Sequence, residues 1–214
     1  MKLFLDSADT QAIYERFQTG LIDGVTTNPT LIKKSGRDPE RVYQELIDIG
    51  LKDISMEVTG SLLEMISQTD KLLTTFGNSV PTIKVPCTKD GLKICKTLSD
   101  KGVRVNVTLI FSVAQAILAA KAGARYVSPF IGRYDDNSLA GAELVRSIAS
   151  TYQVQGVTKT RVLAASVRDV YKVGRAFFNG ADIVTMPPAV FDKMFDHVLT
   201  DQGLAIFEKD AQSL

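Results

Sequence analysis

Lys84 stands in the stretch "TIKVP", between Ile83 and Val85. Lysines are almost never fully buried alone, so a cation inside an apolar, β-branched run is either paired or put to use. In the structural reading, Lys84 forms an ion pair with Asp6 or Glu57, the acids at the ends of "KLFLD" and "ISME". In the chemical reading it is a Schiff-base nucleophile whose free amine attacks a carbonyl carbon. An ordinary lysine, with a pKa of about 10.4, is neutral in only about one molecule in a few thousand at pH 7. A Schiff-base site must therefore disfavour the ammonium form, and burial among apolar neighbours such as Ile83 and Val85 does so. Two proton transfers must accompany such chemistry. One carboxylate can take a proton from a substrate hydroxyl as a carbon–carbon bond breaks, while the other, through a water, helps expel hydroxide from the carbinolamine. The residue types leave open which of Asp6 and Glu57 does which.

"SPFIGRYDDN" and "AASVRD" each place an arginine just after a β-branched run, and Arg133, Arg168 and Ser166 together suit an anionic group such as a phosphate. The structural alternative is a pair of surface arginines. Asp135 and Asp136 are adjacent, so they point apart and are expected to solvate or orient Arg133 rather than form a catalytic pair or hold a metal. His197 reads as a surface residue, Phe177 and Phe178 as a helix face packed on the core, Cys87 as a small thiol near the site and Cys95 as helix core. Two cysteines, with neither CxxC nor HExxH, argue against a disulfide framework or a zinc site, and no cofactor is implied.

The elements that must position these groups alternate. Eight short β-branched runs recur: "KLFLD", "GVTTN", "ISMEV", "TIKVP", "VRVNVTLI", "RYVSPFI", "TRVLAAS" and "DIVTMP". Helical segments with start signals lie between them. In "DPERVYQELIDIG", Asp38 can cap, Pro39 suits the first turn, and Val42, Leu46 and Ile49 share a face. Ser61 with Glu64 and Ser112 with Gln115 have capping-box spacing. "DKGVRVNV", "KAGARYVSP" and "FNGADIVTMP" each set a glycine before the next strand, where a left-handed helix cap is least strained. Eight βα units predict a single-domain (β/α)8 TIM barrel over residues 1–214, with a C-terminal helix at about 201–212. The competing open doubly wound sheet would want a GxGxxG turn, which is absent. In a closed parallel barrel the carboxyl ends of the strands converge, so Asp6, Thr26, Asn28, Glu57, Lys84, Asn106, Thr108, Ser128 and Ser166 should surround one mouth.

Composition narrows the ligand. Lys plus Arg number 25 against 24 Asp plus Glu, which gives no broad basic surface for nucleic acid or an anionic membrane, so any ligand must be recognised locally. "MKLFLDSADT" reaches an acid after three apolar residues, and no later run has the length of a membrane span, so the cytoplasm is the expected compartment. The segment "TDQGLAIFEKDAQSL" reads as an amphipathic end helix whose Leu204, Ile206 and Phe207 are available to pack on a neighbouring subunit.

"LFLDSAD", "GVTTNPTLI", "MEV", "IKVP", "VNVTLIFS", "YVSPFIGRYDD" and "AASVRD" resemble the short transaldolase group, which also includes fructose 6-phosphate aldolases, over nearly the whole chain. The resemblance implies metal-free Schiff-base chemistry that moves a dihydroxyacetone unit from sedoheptulose 7-phosphate to glyceraldehyde 3-phosphate, yielding erythrose 4-phosphate and fructose 6-phosphate. By that resemblance Lys84 forms the Schiff base, Asp6 is the acid/base at the breaking bond, and Glu57 and Thr108 hold a catalytic water. Asn28, Asn106 and Ser128 bind the three-carbon unit, with Thr26 and Phe130 also on the substrate side, and Arg133, Ser166 and Arg168 take the phosphate. It further suggests a homo-oligomer, a decamer of two pentameric rings. In the aldolase branch the positions of Glu57 and Phe130 resemble a glutamine and a tyrosine, so this chain looks like the transferase branch. A phenol could protonate and release the enamine, and Phe130 has none. The alternatives are therefore a fructose 6-phosphate aldolase and, more remotely, a non-catalytic phosphosugar-binding barrel.

Overall fold

The computed structural model describes residues 1–78 and 80–213. Eight parallel strands, β1 (Lys2–Asp6), β2 (Gly24–Thr26), β3 (Ile54–Glu57), β4 (Pro81–Pro86), β5 (Val105–Ile110), β6 (Tyr126–Pro129), β7 (Arg161–Ala164) and β8 (Ile183–Met186), close in chain order, with β8 pairing back onto β1. The helices around them are α1 (Thr10–Phe17), α2 (Pro29–Ser35), α3 (Pro39–Asp48), α4 (Leu62–Phe76), α5 (Lys89–Asp100), α6 (Val113–Lys121), α7 (Ile131–Asp136), α8 (Gly141–Val154), α9 (Val170–Phe178), α10 (Pro188–Asp192) and α11 (Val198–Ala211). The expected (β/α)8 barrel is thus the observed fold.

Local chemistry starts and stops these elements. Asp9, Asn28, Asp38, Ser61, Thr88, Ser112 and Asp169 each accept a backbone N–H in the first turn of the following helix, satisfying a donor the helix cannot. Ser61 and Glu64 close a full capping box, whereas Gln115 reaches past Ser112 to accept from Phe111 N. Gly102, Gly123 and Gly180 adopt positive φ before the next strand, as the spacing predicts. The last helix begins three residues earlier than expected because His197 caps it, its Nδ1 accepting from Leu199 N.

Side chains alternate along each strand, and this divides the molecule into two apolar regions. Val25, Ile54, Met56, Ile83, Val85, Val105, Val107, Val127, Val162 and Val184 belong to the main core, the shell between strands and helices. A second, smaller cluster of Phe4, Tyr126, Leu163, Ala165 and Ile183 fills part of the barrel interior. Gly24 makes room for it: a Cβ there would stand 2.6 Å from the Phe4 ring and 2.7 Å from Asp53 O. The remaining interior positions are polar, among them Ser55, Thr82, Lys84, Asn106, Thr108, Ser128 and Thr185, all buried.

One expectation about packing changes. Phe177 packs against the core, but Phe178 is 77% exposed with Arg175 over its ring, because consecutive helix positions lie about 100° apart and cannot share one buried face. No residue of α11 is buried, and Leu204, Ile206 and Phe207 are exposed, which leaves them available as the sequence reading expects. Among the described residues no helix is long and apolar enough to cross a membrane.

Candidate active site

Strand register assembles the central contact. Glu57 lies beside Lys84 across β3–β4, and Asn106 lies beside it across β4–β5. The Lys84 Nζ is 2.9 Å from the Glu57 Oε2 and donates to the Thr27 carbonyl at 2.8 Å. The ion pair of the structural reading is therefore present, with Glu57 as the partner. Its setting differs from the sequence expectation. Ile83 and Val85 face the outer shell, and Lys84 is only 3% exposed because the barrel itself encloses it.

Asp6 ends β1 opposite Thr26 on β2. The Thr26 hydroxyl donates to Asp6 Oδ1 at 2.7 Å and lies 2.7 Å from the Thr185 hydroxyl on β8. Burial pushes the Asp6 carboxyl above the usual carboxylate range, although the charge of Lys84 and the Thr26 hydrogen bond pull the other way. On the opposite wall Ser128 donates to Asn106 Oδ1 at 2.7 Å, and Asn106 Nδ2 donates to Ser55 Oγ at 3.2 Å. Thr108 is fully buried and its hydroxyl has no partner among the described residues.

A cavity of about 110 Å³ is lined by Asp6, Thr26, Asn28, Lys84, Ser128, Phe130, Arg133 and Ser166 of the expected residues and by Leu163, Ala165 and Thr185 besides, while Asn106, Thr108 and Arg168 are not among its lining residues. Glu57 opens instead onto a cavity of about 430 Å³ outside the barrel, lined largely by apolar residues of α2 to α4 such as Ile32 and Leu72. The smaller cavity is the candidate site, because the convergent polar groups are there. Asn28 contributes from the cap of α2, its Oδ1 committed to Leu31 N.

The anion clamp is only partly assembled. Arg133 lines the cavity with its guanidinium 5.0 Å from the centre of the Phe130 ring, and Phe130 meets Phe111 edge-on at 6.0 Å. Ser166 also lines the cavity, in a left-handed backbone conformation with φ 60° that is uncommon outside glycine. Arg168 does not line the cavity and makes a two-pronged pair with Asp136, at 2.6 and 2.7 Å. The expectation that Asp135 and Asp136 serve Arg133 is thus corrected. Asp136 takes Arg168, which holds its carboxyl below the usual range, while Asp135 takes Lys172 at 2.8 Å and accepts from Gly141 N. Their side chains do point apart, and each finds a different cation.

Two residues escaped the sequence reading. Thr185 is one; its signal was a lone threonine in the otherwise apolar "IVTM". Gly132 is the other. A Cβ there would lie 2.2 Å from Ser166 O and 3.0 Å from Arg168 Nε, so only glycine lets the start of α7 approach the loop after β7. A glycine directly before Arg133 was the available signal.

Comparison with known proteins agrees with this picture. Residues 3–214 match the family model described as Transaldolase/Fructose-6-phosphate aldolase. A probable transaldolase of Caulobacter vibrioides (strain NA1000 / CB15N) is 50% identical over 211 residues, covering 98% of this chain and 96% of the relative. One of Ruegeria sp. (strain TM1040) is 50% identical over 214 residues, covering 100% and 97%. With the match running through every strand that supplies the cavity, the chain belongs to the transaldolase/fructose-6-phosphate aldolase family of enzymes.

Proposed function

We propose that the protein is a transaldolase that carries a dihydroxyacetone unit from sedoheptulose 7-phosphate to glyceraldehyde 3-phosphate on a Lys84 Schiff base, the exchange of the pentose phosphate pathway. The observation that carries this reading is the enclosed Lys84 amine, 2.9 Å from Glu57 and sharing a polar cavity with Asp6. An ammonium is no nucleophile, and the ion pair supplies its base. A proton passed from Nζ to Glu57 leaves a neutral amine and a neutral acid, and that acid, through a water held with Thr108, can return the proton to the carbinolamine hydroxyl as it leaves. Asp6, whose carboxylate burial makes more basic, suits removal of the hydroxyl proton that releases the aldehyde. Asn28, Asn106 and Ser128 offer polar groups to the three-carbon unit, and Arg133 and Ser166 suit the phosphate, with Arg168 joining once it exchanges Asp136 for the ligand.

Transfer is preferred to simple cleavage because Phe130 has no hydroxyl with which to protonate a waiting enamine. We also assign a homo-oligomer, with a second copy covering the exposed Val198, Leu204, Ile206 and Phe207 of α11, and a cytoplasmic setting. The test is covalent trapping. Incubation with fructose 6-phosphate and borohydride should add mass to the wild type and none to Lys84→Ala, whose turnover should fall on the order of 10⁴-fold. No mass gain in the wild type would leave a non-covalent phosphosugar binder. Release of free dihydroxyacetone at the same rate with and without erythrose 4-phosphate would make the enzyme a lyase.

A further inference from the structure

The eighth strand adds a part to the machinery around Asp6. Thr185, Thr26 and Asp6 come from β8, β2 and β1, with β1 between the other two strands, and their polar atoms form a chain with links of 2.7 Å each. Both hydroxyls are buried, Thr26 at 2% and Thr185 at 1% exposure. A hydroxyl has one proton to give. If Thr26 gives its proton to Asp6, only Thr185 can supply the proton between the two threonines, and Thr185 has no competing partner among the described residues. The chain therefore runs one way, from Thr185 to Thr26 to the Asp6 carboxylate.

We propose that Thr185 is a positioning residue: it occupies the Thr26 oxygen as a donor and so fixes the Thr26 hydroxyl proton on Asp6. The inference rests on the reading of Asp6 as the group that takes the substrate proton. In that step the proton of the substrate hydroxyl passes to an Asp6 oxygen and the O–H electron pair becomes the second bond of the departing aldehyde. The electrons of the breaking carbon–carbon bond move toward the nitrogen of the Lys84 iminium. Thr26 Oγ1 occupies Asp6 Oδ1, so Oδ2 is left to receive the proton. A chain of hydrogen bonds polarises each member, so the link from Thr185 strengthens the one from Thr26 and opposes the burial that favours neutral Asp6. The charged groups facing Asp6 are Lys84 of β4 and Arg133 of α7, which share its cavity, with Glu57 of β3 beyond Lys84. β2 and β8, which flank β1, carry no charged residue, so Thr185 can be changed without touching a charge.

The experiment compares wild type, Thr185→Val and Thr185→Ser. Without the hydroxyl, the acid limb of the kcat profile should move up by about 0.5–1 pH unit, the loss of one polarising hydrogen bond, with KM little changed. Thr185→Ser should restore the wild-type limb. In parallel, carbon-13 NMR of the aspartate carboxyls, with Asp6→Asn to assign the signal, should show the same upward movement without any turnover. An Asp6 titration that coincides in wild type and Thr185→Val would overturn the proposal while leaving Asp6 as the base. If Asp6→Asn retains wild-type turnover, the base reading itself fails, and the NMR titration still decides whether Thr185 orients the chain.

Discussion

The barrel interior holds two sets of buried polar groups, one near its base and one at its mouth, and they differ in how completely they are satisfied. At the base, Asp53 accepts from Thr82 Oγ1 at 2.7 Å and from Tyr126 OH at 2.6 Å and pairs with Arg104 at 3.4 Å. Arg104 in turn donates to Lys52 O and Val80 O. Burial and the neighbouring Asp53 push the Tyr126 phenol up to about 12, so it remains a donor. At the mouth, by contrast, the Thr108 hydroxyl has no protein partner and Asp6 accepts one protein hydrogen bond, on one oxygen, among the described residues. Both sets are enclosed by the same strands. A buried polar group normally finds its partners within the fold. The base does so and is structural, whereas the mouth leaves capacity that a ligand can take up.

That contrast predicts opposite consequences for two aspartates. Asp6→Asn should lower turnover by about 10²–10⁴-fold, the usual range for removing a general base. It should also raise stability at neutral pH. A carboxyl whose folded-state pKa lies above its ordinary 3.8 stays protonated in the folded chain while the unfolded chain ionises. Stability is therefore lost as pH rises from that ordinary value through the raised one, and Asp6→Asn removes the loss. The gain in denaturation midpoint should shrink to nothing below about pH 3.8. Asp53→Ala should behave in reverse, with a loss of about 3–5 kcal/mol in urea unfolding because Arg104 and two hydroxyls lose their acceptor, and near-normal turnover per folded molecule. A comparable loss of stability from both substitutions would erase the distinction between base and mouth.

What the sequence disclosed follows the same division between local and non-local. Strand runs, the caps at Asp38 and Ser61 and the glycines before strands were legible because each depends on a few neighbouring residues. The convergence of Asp6, Lys84 and Ser128 was legible because barrel closure brings strand ends together. Pairings across the fold were not. Arg168 meets Asp136 across 32 positions of sequence, and Thr26 meets Thr185 across 159, so no window of the chain contains both partners. The enclosure of Lys84 is non-local in the same way. Its sequence neighbours turn outward by strand alternation, and Glu57 and Asn106 beside it come from β3 and β5.

Thr108 provides the smallest and most discriminating test of the contrast. The Thr108 hydroxyl has no protein partner among the described residues, so valine, of the same shape, removes no protein hydrogen bond. If the hydroxyl is there to hold a water for Glu57, Thr108→Val should leave the unfolding midpoint unchanged or raise stability by up to about 1 kcal/mol, while kcat falls about tenfold. Thermal unfolding and steady-state rates on one preparation decide it. Lower stability with unchanged kcat would mean that the fold, not the reaction, uses the hydroxyl, and Thr108 would then belong with Asp53. Higher stability with a lower rate would place the hydroxyl with the reaction, because no described protein group depends on it.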